Sequence, residues 1–335
     1  MSFRTAMSFC SGLMSDGGGM LQGLKTDIRF PNIGISFHGV GNGITLFGID
    51  IMYYGMIIVS GMLLGVLLAC YRAKRAGQSA DMVIDFALYA ILFSVAGARL
   101  YYVVFAWDSF RENPLSVFNL RTGGMAIYGG IIGAVLTAVV YAKIKKVNFG
   151  KLADICVPSL LLGQAIGRWG NFFNREAFGT YTDGLFAMQL DRRAVGSDYN
   201  CSMAVLEKRY AGQGGALEQI IKIRNNTVWV DGAEYIQVHP TFLYESLWNI
   251  MLLALILLFA RYKKFDGELL FWYLAGYGIG RLWIEGLRTD QLFLWGSPLA
   301  VSQLLSGLLA AGSTALVLAV RVRLRKKKKG IERKK

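Results

Sequence analysis

VPSLLLGQAIGRWGNFFNREAFG, residues 157–179, joins an apolar run directly to a dense polar cluster. The run Val157–Ile166 reads as the end of a membrane-crossing helix. Straight after it, Arg168, Asn171, Asn174, Arg175 and Glu176 fall within nine residues. Polar groups at a membrane boundary are costly, so such a cluster marks a functional site by default. Two other stretches have the same form. VHPTFLYES (Val238–Ser246) leads into an apolar run, and GRLWIEGLRTD (Gly280–Asp290) closes one. Three polar clusters at three helix ends point to one site.

Composition agrees with a membrane setting. Of 335 residues 54% are hydrophobic and only 17% charged, against about 25% charged in soluble domains. Mean hydropathy is +0.41. Seven apolar spans are expected, at 48–70, 83–106, 124–142, 152–169, 241–260, 268–286 and 297–320, each near the ~20 residues that cross a bilayer. The expected fold is therefore an all-α polytopic membrane protein of about seven transmembrane helices, with a small α+β head outside the cytoplasm. Four scattered cysteines and two histidines offer no zinc constellation, so no metal or cofactor is expected. No cleavable signal peptide is read at the N-terminus.

The net charge of +14 is distributed like a topology signal rather than a nucleic-acid footprint. Twenty of the 36 basic residues lie in alternate loops and the tail: Arg72, Lys74 and Arg75; Lys143, Lys145, Lys146 and Lys151; Arg261, Lys263 and Lys264; and ten in Arg321–Lys335. The loops on the other face hold few, among them Arg111 and Arg121. Positive residues stay cytoplasmic, which places the N-terminus and head outside and the C-terminus inside. The expected divisions are an outside extension and interfacial segment (1–47), helices 1–4 (48–171), the head (172–238), helices 5–7 (239–320) and a basic cytoplasmic tail (321–335). Residues 1–27 show no clean period, and 28–47 read as interfacial strand or loop. The tail reads as a solvated, anionic-lipid-contacting stop signal; no nucleic-acid partner is expected. Within the head, Asp231-Gly232 between two alternating strands is a hairpin signal. Gly129/Gly133 and Gly276/Gly280 have the spacing of close helix packing.

The polar residues suggest specific chemistry. On a helix, Tyr277, Arg281, Glu285 and Arg288 share one face. An Arg281–Glu285 ion pair hides two charges, but two arginines on one face also suit bidentate phosphate binding. Asn171 and Asn174 can donate to anionic oxygens, Glu176 can orient an arginine, and Gly167, Gly170 and Gly179 permit unusual backbone angles and close approach. His239, with Pro240 opening a helix, is either a base or a helix cap. Glu245 lies roughly opposite it on the helix, so its pairing role is separate. Arg99 sits inside the second span and needs a partner, with Glu176 and Glu285 the expected ones. Tyr128 stands between two glycine pairs at the start of the third span, and Tyr54 in the outer part of the first.

Together these segments resemble the prolipoprotein diacylglyceryl transferase family over most of the chain, from about Gly48 to Leu305. The GRWGNFFNREAFG signature is specific to it, and HPTFLYES, RTGGMAIYGG, GARLYYVV and GRLWIEGLRTDQ follow in the expected order. The resemblance implies a multi-pass enzyme of the bacterial cytoplasmic membrane. Its partners would be the bilayer, phosphatidylglycerol and preprolipoproteins. The enzyme would move a diacylglyceryl group from the lipid to a lipobox cysteine thiol, leaving glycerol-1-phosphate. It implies Arg168 and Arg281 as essential arginines, with Tyr54, Asn171, Glu176, Gly179 and Glu285 at further matching positions. His239 matches a family histidine, whereas Tyr128 stands where many members carry the histidine often assigned as base, and Phe242 where a glutamine is common. With Tyr128 and His239, Arg168 and Arg281 make the expected catalytic set; Asn174, Arg288 and Arg99 join the matching positions as substrate contacts. A lipid transporter that binds phosphatidylglycerol without chemistry is the alternative. A membrane acyltransferase is disfavoured because neither histidine opens an HxxxxD arrangement.

Overall fold

The computed structural model describes residues 24–111, 113–119, 123–211, 214–289 and 300–332. Arg121, Asp290 and residues 1–23 of the expected N-terminal extension lie outside the described residues. The helices are α1 (Tyr53–Arg75), α2 (Ala80–Phe105), α3 (Ile127–Ile144), α4 (Phe149–Asn174), α5 (Met203–Arg209), α6 (Gly214–Asn225), α7 (Thr241–Phe259), α8 (Glu268–Glu285) and α9 (Val301–Glu332). The strands are β1 (Thr26–Phe30), β2 (Ile35–Val40), β3 (Gly43–Leu46), β4 (Ile49–Met52), β5 (Met188–Asp191), β6 (Val228–Val230) and β7 (Ala233–Val238).

Six helices among the described residues are long and apolar enough to cross a membrane: α1, α2, α3, α4, α7 with its continuation to Tyr262, and α9 as far as Lys329. The expected sixth span, now α8, falls outside this set because Glu268, Arg281 and Glu285 lie within its 18 residues. Other boundaries move for identifiable reasons. The first helix starts at Tyr53 rather than 48, because residues 49–52 pair as β4 with β3. The last helix runs unbroken into the basic tail, since neither Lys nor Arg disfavours helix.

The chain divides into two compact units, one containing Val66–Ile155, the other the described parts of Gly23–Gly65 and Cys156–Lys335. In the first, Ser79 caps α2 by accepting from the Asp81 amide at 3.0 Å. The α2–α3 packing is set by small residues. A Cβ on Gly129 would lie 2.3 Å from the Gly97 carbonyl oxygen, and one on Gly133 2.3 Å from that of Phe93. Ala69, Ala73, Val83 and Ile155 form a buried cluster in the same unit.

In the second unit a five-stranded antiparallel sheet has the order β2-β1-β5-β7-β6. Ile28 pairs with Leu190 and Leu190 with Ile236, giving a row of three fully buried side chains. The β6–β7 turn is Asp231-Gly232 with φ of 52° and 77°, as its sequence signal requires. The sheet is not confined to the expected head segment 172–238: β1 and β2 come from residues 26–40. Arg175 contributes to that join. Its buried guanidinium donates to the Phe173 carbonyl at 3.0 Å and also to the carbonyls of Thr26 and Val40.

The helices of this unit also rely on glycine. Val157, Leu161, Leu252, Ile256 and Leu269 make a core shared by α4, α7 and α8. A Cβ on Gly276 would meet Leu252 at 2.5 Å, on Gly280 the Trp248 indole at 2.2 Å, and on Gly278 the Ser306 carbonyl oxygen at 2.5 Å. Helix α8 is thus held closely between α7 and α9.

Candidate functional site

The second unit brings the three polar clusters together at Glu245, in the second turn of α7. The Glu245 carboxylate faces three arginines from separate segments. Arg168 of α4 approaches Oε2 at 2.7 Å, while Arg288 and Arg281 approach Oε1 at 3.4 and 3.7 Å. Arg281 also pairs with Glu285 Oε2 at 2.7 Å, and Ser302 at the start of α9 donates to Glu285 Oε1 at 2.7 Å. The two carboxylates are buried, yet the Arg168 and Arg281 side chains keep 28% and 22% of their surface open. The cluster therefore offers accessible guanidinium edges backed by buried carboxylates. Three cations against two anions leave one net positive charge among these residues.

Local sequence explains how each group arrives. Arg168 does not mark the helix end, as the sequence suggested; α4 continues more than a turn further, to Asn174. Gly167 and Gly170 are helical and serve close packing rather than unusual backbone angles. A Cβ on Gly170 would lie 2.6 Å from the Tyr54 ring, and one on Gly167 3.3 Å from Ile58. Tyr54 is thereby seated against Gly170, two residues along α4 from Arg168. The helix stops where Arg175 and Ala177 take φ of 52° and 54°. Glu176 then folds back, its Oε1 accepting from Asn171 and Asn174 at 3.1 and 3.3 Å. Glu176 is thus oriented by the two asparagines instead of orienting an arginine.

Gly179 is the crossing point of three chain segments. Its amide donates to the His239 carbonyl at 2.9 Å, the His239 amide to Thr180 at 3.0 Å, and the Thr180 amide to Leu287 at 2.6 Å. Gly179 and Arg288 form a bridge pair, and Thr241 Oγ1 donates to the Ala177 carbonyl. A Cβ on Gly179 would lie 2.7 Å from the Leu287 oxygen and 2.8 Å from His239 Cβ. This clasp delivers Arg288 to Glu245. His239 lies just ahead of α7, with Nδ1 3.3 Å from the Tyr244 hydroxyl. Burial pushes its pKa below the ordinary imidazole value, which favours the neutral ring.

Beside the cluster, Trp169 donates to Ser246 Oγ at 3.2 Å, and Ser246 to the Ala165 carbonyl at 2.9 Å. These residues border a cavity of about 320 Å³ with apolar walls that include Ile57, Leu162, Ile166, Phe173 and Ile250. Phe242 packs against Trp169 and Phe172, with ring centroids at 5.4 and 5.1 Å.

Two expected site residues, Arg99 and Tyr128, belong to the Val66–Ile155 unit. Tyr128 is half exposed in the first turn of α3. Arg99 finds its partners in backbone carbonyls, not in Glu176 or Glu285. Its Nε donates to Val117, Nη1 to Gly123 and Gly124, and Nη2 to Ser116 and Asn119, all between 2.6 and 3.0 Å. Five N–H groups match five carbonyl contacts, which satisfies a buried guanidinium without a carboxylate. Sequence reasoning left Glu245 and Ser302 out of the site. The carboxylate in HPTFLYES was the available signal for Glu245; nothing local marks Ser302.

The family model for prolipoprotein diacylglyceryl transferase matches residues 42–319. Relatives named phosphatidylglycerol–prolipoprotein diacylglyceryl transferase agree with it. That of Bacillus cytotoxicus is 42% identical over 256 residues, covering 76% of this chain and 83% of its own. Those of Clostridioides difficile and Listeria innocua are each 40% identical, over 262 and 276 residues, covering 78% and 82% of this chain and 88% of their own. With a family model across most of its length and relatives at this identity, the chain belongs to the prolipoprotein diacylglyceryl transferase family.

Proposed function

We propose that this protein transfers the diacylglyceryl group of phosphatidylglycerol to the lipobox cysteine thiol of a preprolipoprotein, the first step of bacterial lipoprotein maturation. The observation that carries the reading is the convergence of Arg168, Arg281 and Arg288 on the buried Glu245. In the reaction a sulfur–carbon bond forms at the glycerol C3 and the C3–O–phosphate bond breaks. The thiol proton leaves for a base, and glycerol-1-phosphate departs with the bonding electrons. Charge on the phosphate grows from one to two during this step. Fixed guanidiniums in a water-poor site stabilise developing charge more than water does, and their planar forks suit phosphate oxygens. The apolar cavity beside Trp169 has the size and lining to hold part of an acyl chain.

The remaining residues take supporting roles. Tyr54, Asn171, Asn174, Glu176 and Gly179 shape the headgroup pocket. Glu285, held by Ser302, aims Arg281. His239 is the thiol base; its neutral ring supports that role. Arg99 positions the backbone at Ser116, Val117, Asn119, Gly123 and Gly124, ahead of Tyr128 and α3. Tyr128 takes a hydrogen-bonding role toward lipid rather than the role of base.

Seven crossings also fit α8. Its 18 residues span about 27 Å, and its charges sit at the two ends. Glu268 at its start is fully buried and paired with Arg321 of α9, and Arg281 and Glu285 pair at its finish. The excess of basic residues in alternate loops supports an orientation with the head, residues 172–238, outside the cytoplasm and the tail inside. A cysteine near Asp231 should label from outside intact cells and one within Lys326–Lys329 should not; the reverse would overturn this orientation.

The activity is tested by incubating the purified protein with phosphatidylglycerol and a lipobox peptide. Mass spectrometry should find a diacylglyceryl thioether on the cysteine. Lipid binding or movement without that product would refute the reading in favour of a transporter.

A further inference from the structure

Strands β3 and β4 pair only with each other among the described strands, and α1 begins at the residue after β4. The register sets Ile44 opposite Ile51. Leu46, two residues beyond Ile44, shares its face by strand alternation. Thr45 and Asp50 pair on the other face, joined by a 2.6 Å hydrogen bond. The ribbon is therefore apolar on one side and polar on the other.

Its tip is unusual. Phe47 and Gly48 take φ of 52° and 77°, matching the Asp231-Gly232 turn of the β6–β7 hairpin, where φ is again 52° and 77°. That geometry favours Asn or Asp followed by Gly, and a bulky residue at positive φ is an outlier. The chain uses Asp at one tip and Phe at the other. Phe47 is 99% exposed, and the neighbouring Leu46 and Ile51 are 43% and 37% exposed. A large ring in a sterically disfavoured conformation, with no protein contact to recover the cost, calls for an occupant outside the chain.

We propose that this hairpin is a membrane-interface anchor, with Phe47, Leu46 and Ile51 entering the headgroup layer of the leaflet where α1 starts. Continuity with α1 identifies the occupant. The tip is five residues from Tyr53, at most about 17 Å of extended chain, and the lipid-compatible surface of α1 starts at once with exposed Met56, Val59 and Leu63. The ribbon itself limits the depth. A two-stranded sheet leaves outward-pointing N–H and C=O groups unpaired, which hydrocarbon does not tolerate. Thr45 and Asp50 keep the opposite face in water. Aromatic rings are favoured at this level of the bilayer.

The test is a depth measurement on the full-length chain with Cys10, Cys70, Cys156 and Cys201 changed to serine. Nitroxide labels are placed at Phe47→Cys and separately at Thr45→Cys, in vesicles of phosphatidylcholine and phosphatidylglycerol. Power saturation with oxygen and a water-soluble nickel chelate should give an oxygen-to-nickel accessibility ratio several-fold higher at 47 than at 45. Equal ratios at the two sites overturn the proposal. So does a label at 47 that becomes shielded from nickel only when an apolar signal-sequence peptide is added, which would make the peptide the occupant. With the label moved to Ile51→Cys, Phe47→Asp should lower the ratio and Phe47→Trp should preserve it. Loss with both substitutions would reduce the tip to a structural turn and overturn the anchor.

Discussion

Glu245→Gln is the sharpest test of the arginine cluster. The substitution keeps the side-chain shape and one acceptor oxygen but removes the charge that Arg168, Arg288 and Arg281 share at 2.7, 3.4 and 3.7 Å. Removing one partner of a buried ion pair costs about 3–5 kcal/mol. Arg168 and Arg281 retain open edges, so solvent screening favours the lower end, about 3 kcal/mol. If that loss falls on arginine alignment in the transition state, kcat drops roughly 150-fold, at ~1.36 kcal/mol per factor of ten. Ground-state binding should behave differently. The net charge of the five groups rises from one to two positive, so the anionic lipid should bind no more weakly and KM for phosphatidylglycerol should stay level or fall. Initial rates over a range of lipid concentration, with the peptide product counted by mass spectrometry, separate the two parameters. A kcat within twofold of the parent would refute the hub role. So would a large rise in KM at constant kcat, because Glu245 would then act only in holding the lipid.

Three further outcomes are expected. Arg168→Lys and Arg281→Lys should each lower kcat/KM at least 100-fold with the protein still in the membrane, because an ammonium lacks the planar fork; full activity in the double variant would remove the bidentate role. For His239 the neutral ring is the active base, and burial lowers its pKa, so the neutral fraction grows as pH rises through a value below the ordinary 6.5. The rate should climb on that acidic limb and be flat at pH 7, and His239→Gln should abolish the limb; an unchanged profile assigns His239 to the clasp alone. Gly179→Ala forces its Cβ against the Leu287 oxygen and His239, costing about 1–3 kcal/mol and lowering activity at least tenfold, whereas Gly312→Ala, which meets open space in α9, should match the parent in activity and thermal stability.

Much of this protein is written in local sequence because bilayer physics acts locally. A span needs its own apolar run, and the six helices of sufficient length and hydropathy all lie on runs visible in the chain. Helix periodicity placed Arg281 and Glu285 on one face, and they pair. The spacings Gly129/Gly133 and Gly276/Gly280 announced close helix contact, and Asp231-Gly232 announced its turn, because both depend on a few adjacent residues. Membership of the family was legible for the same reason, in contiguous signatures. What tertiary structure alone decided is which distant groups share a charge. Glu245 looked remote from His239 along its own helix, yet packing of α4, α7 and α8 made it the meeting point of three arginines. Arg99 was expected to seek a carboxylate; the backbone at Ser116, Val117, Asn119, Gly123 and Gly124 supplied carbonyls instead, a satisfaction that no side-chain pattern encodes. Strand β1, with β2 on its other edge, joined β5 across a long stretch of chain, because strand pairing needs only backbone groups and a matching apolar face. Propensity and hydropathy belong to neighbours in sequence, whereas ion pairs and hydrogen bonds belong to neighbours in space.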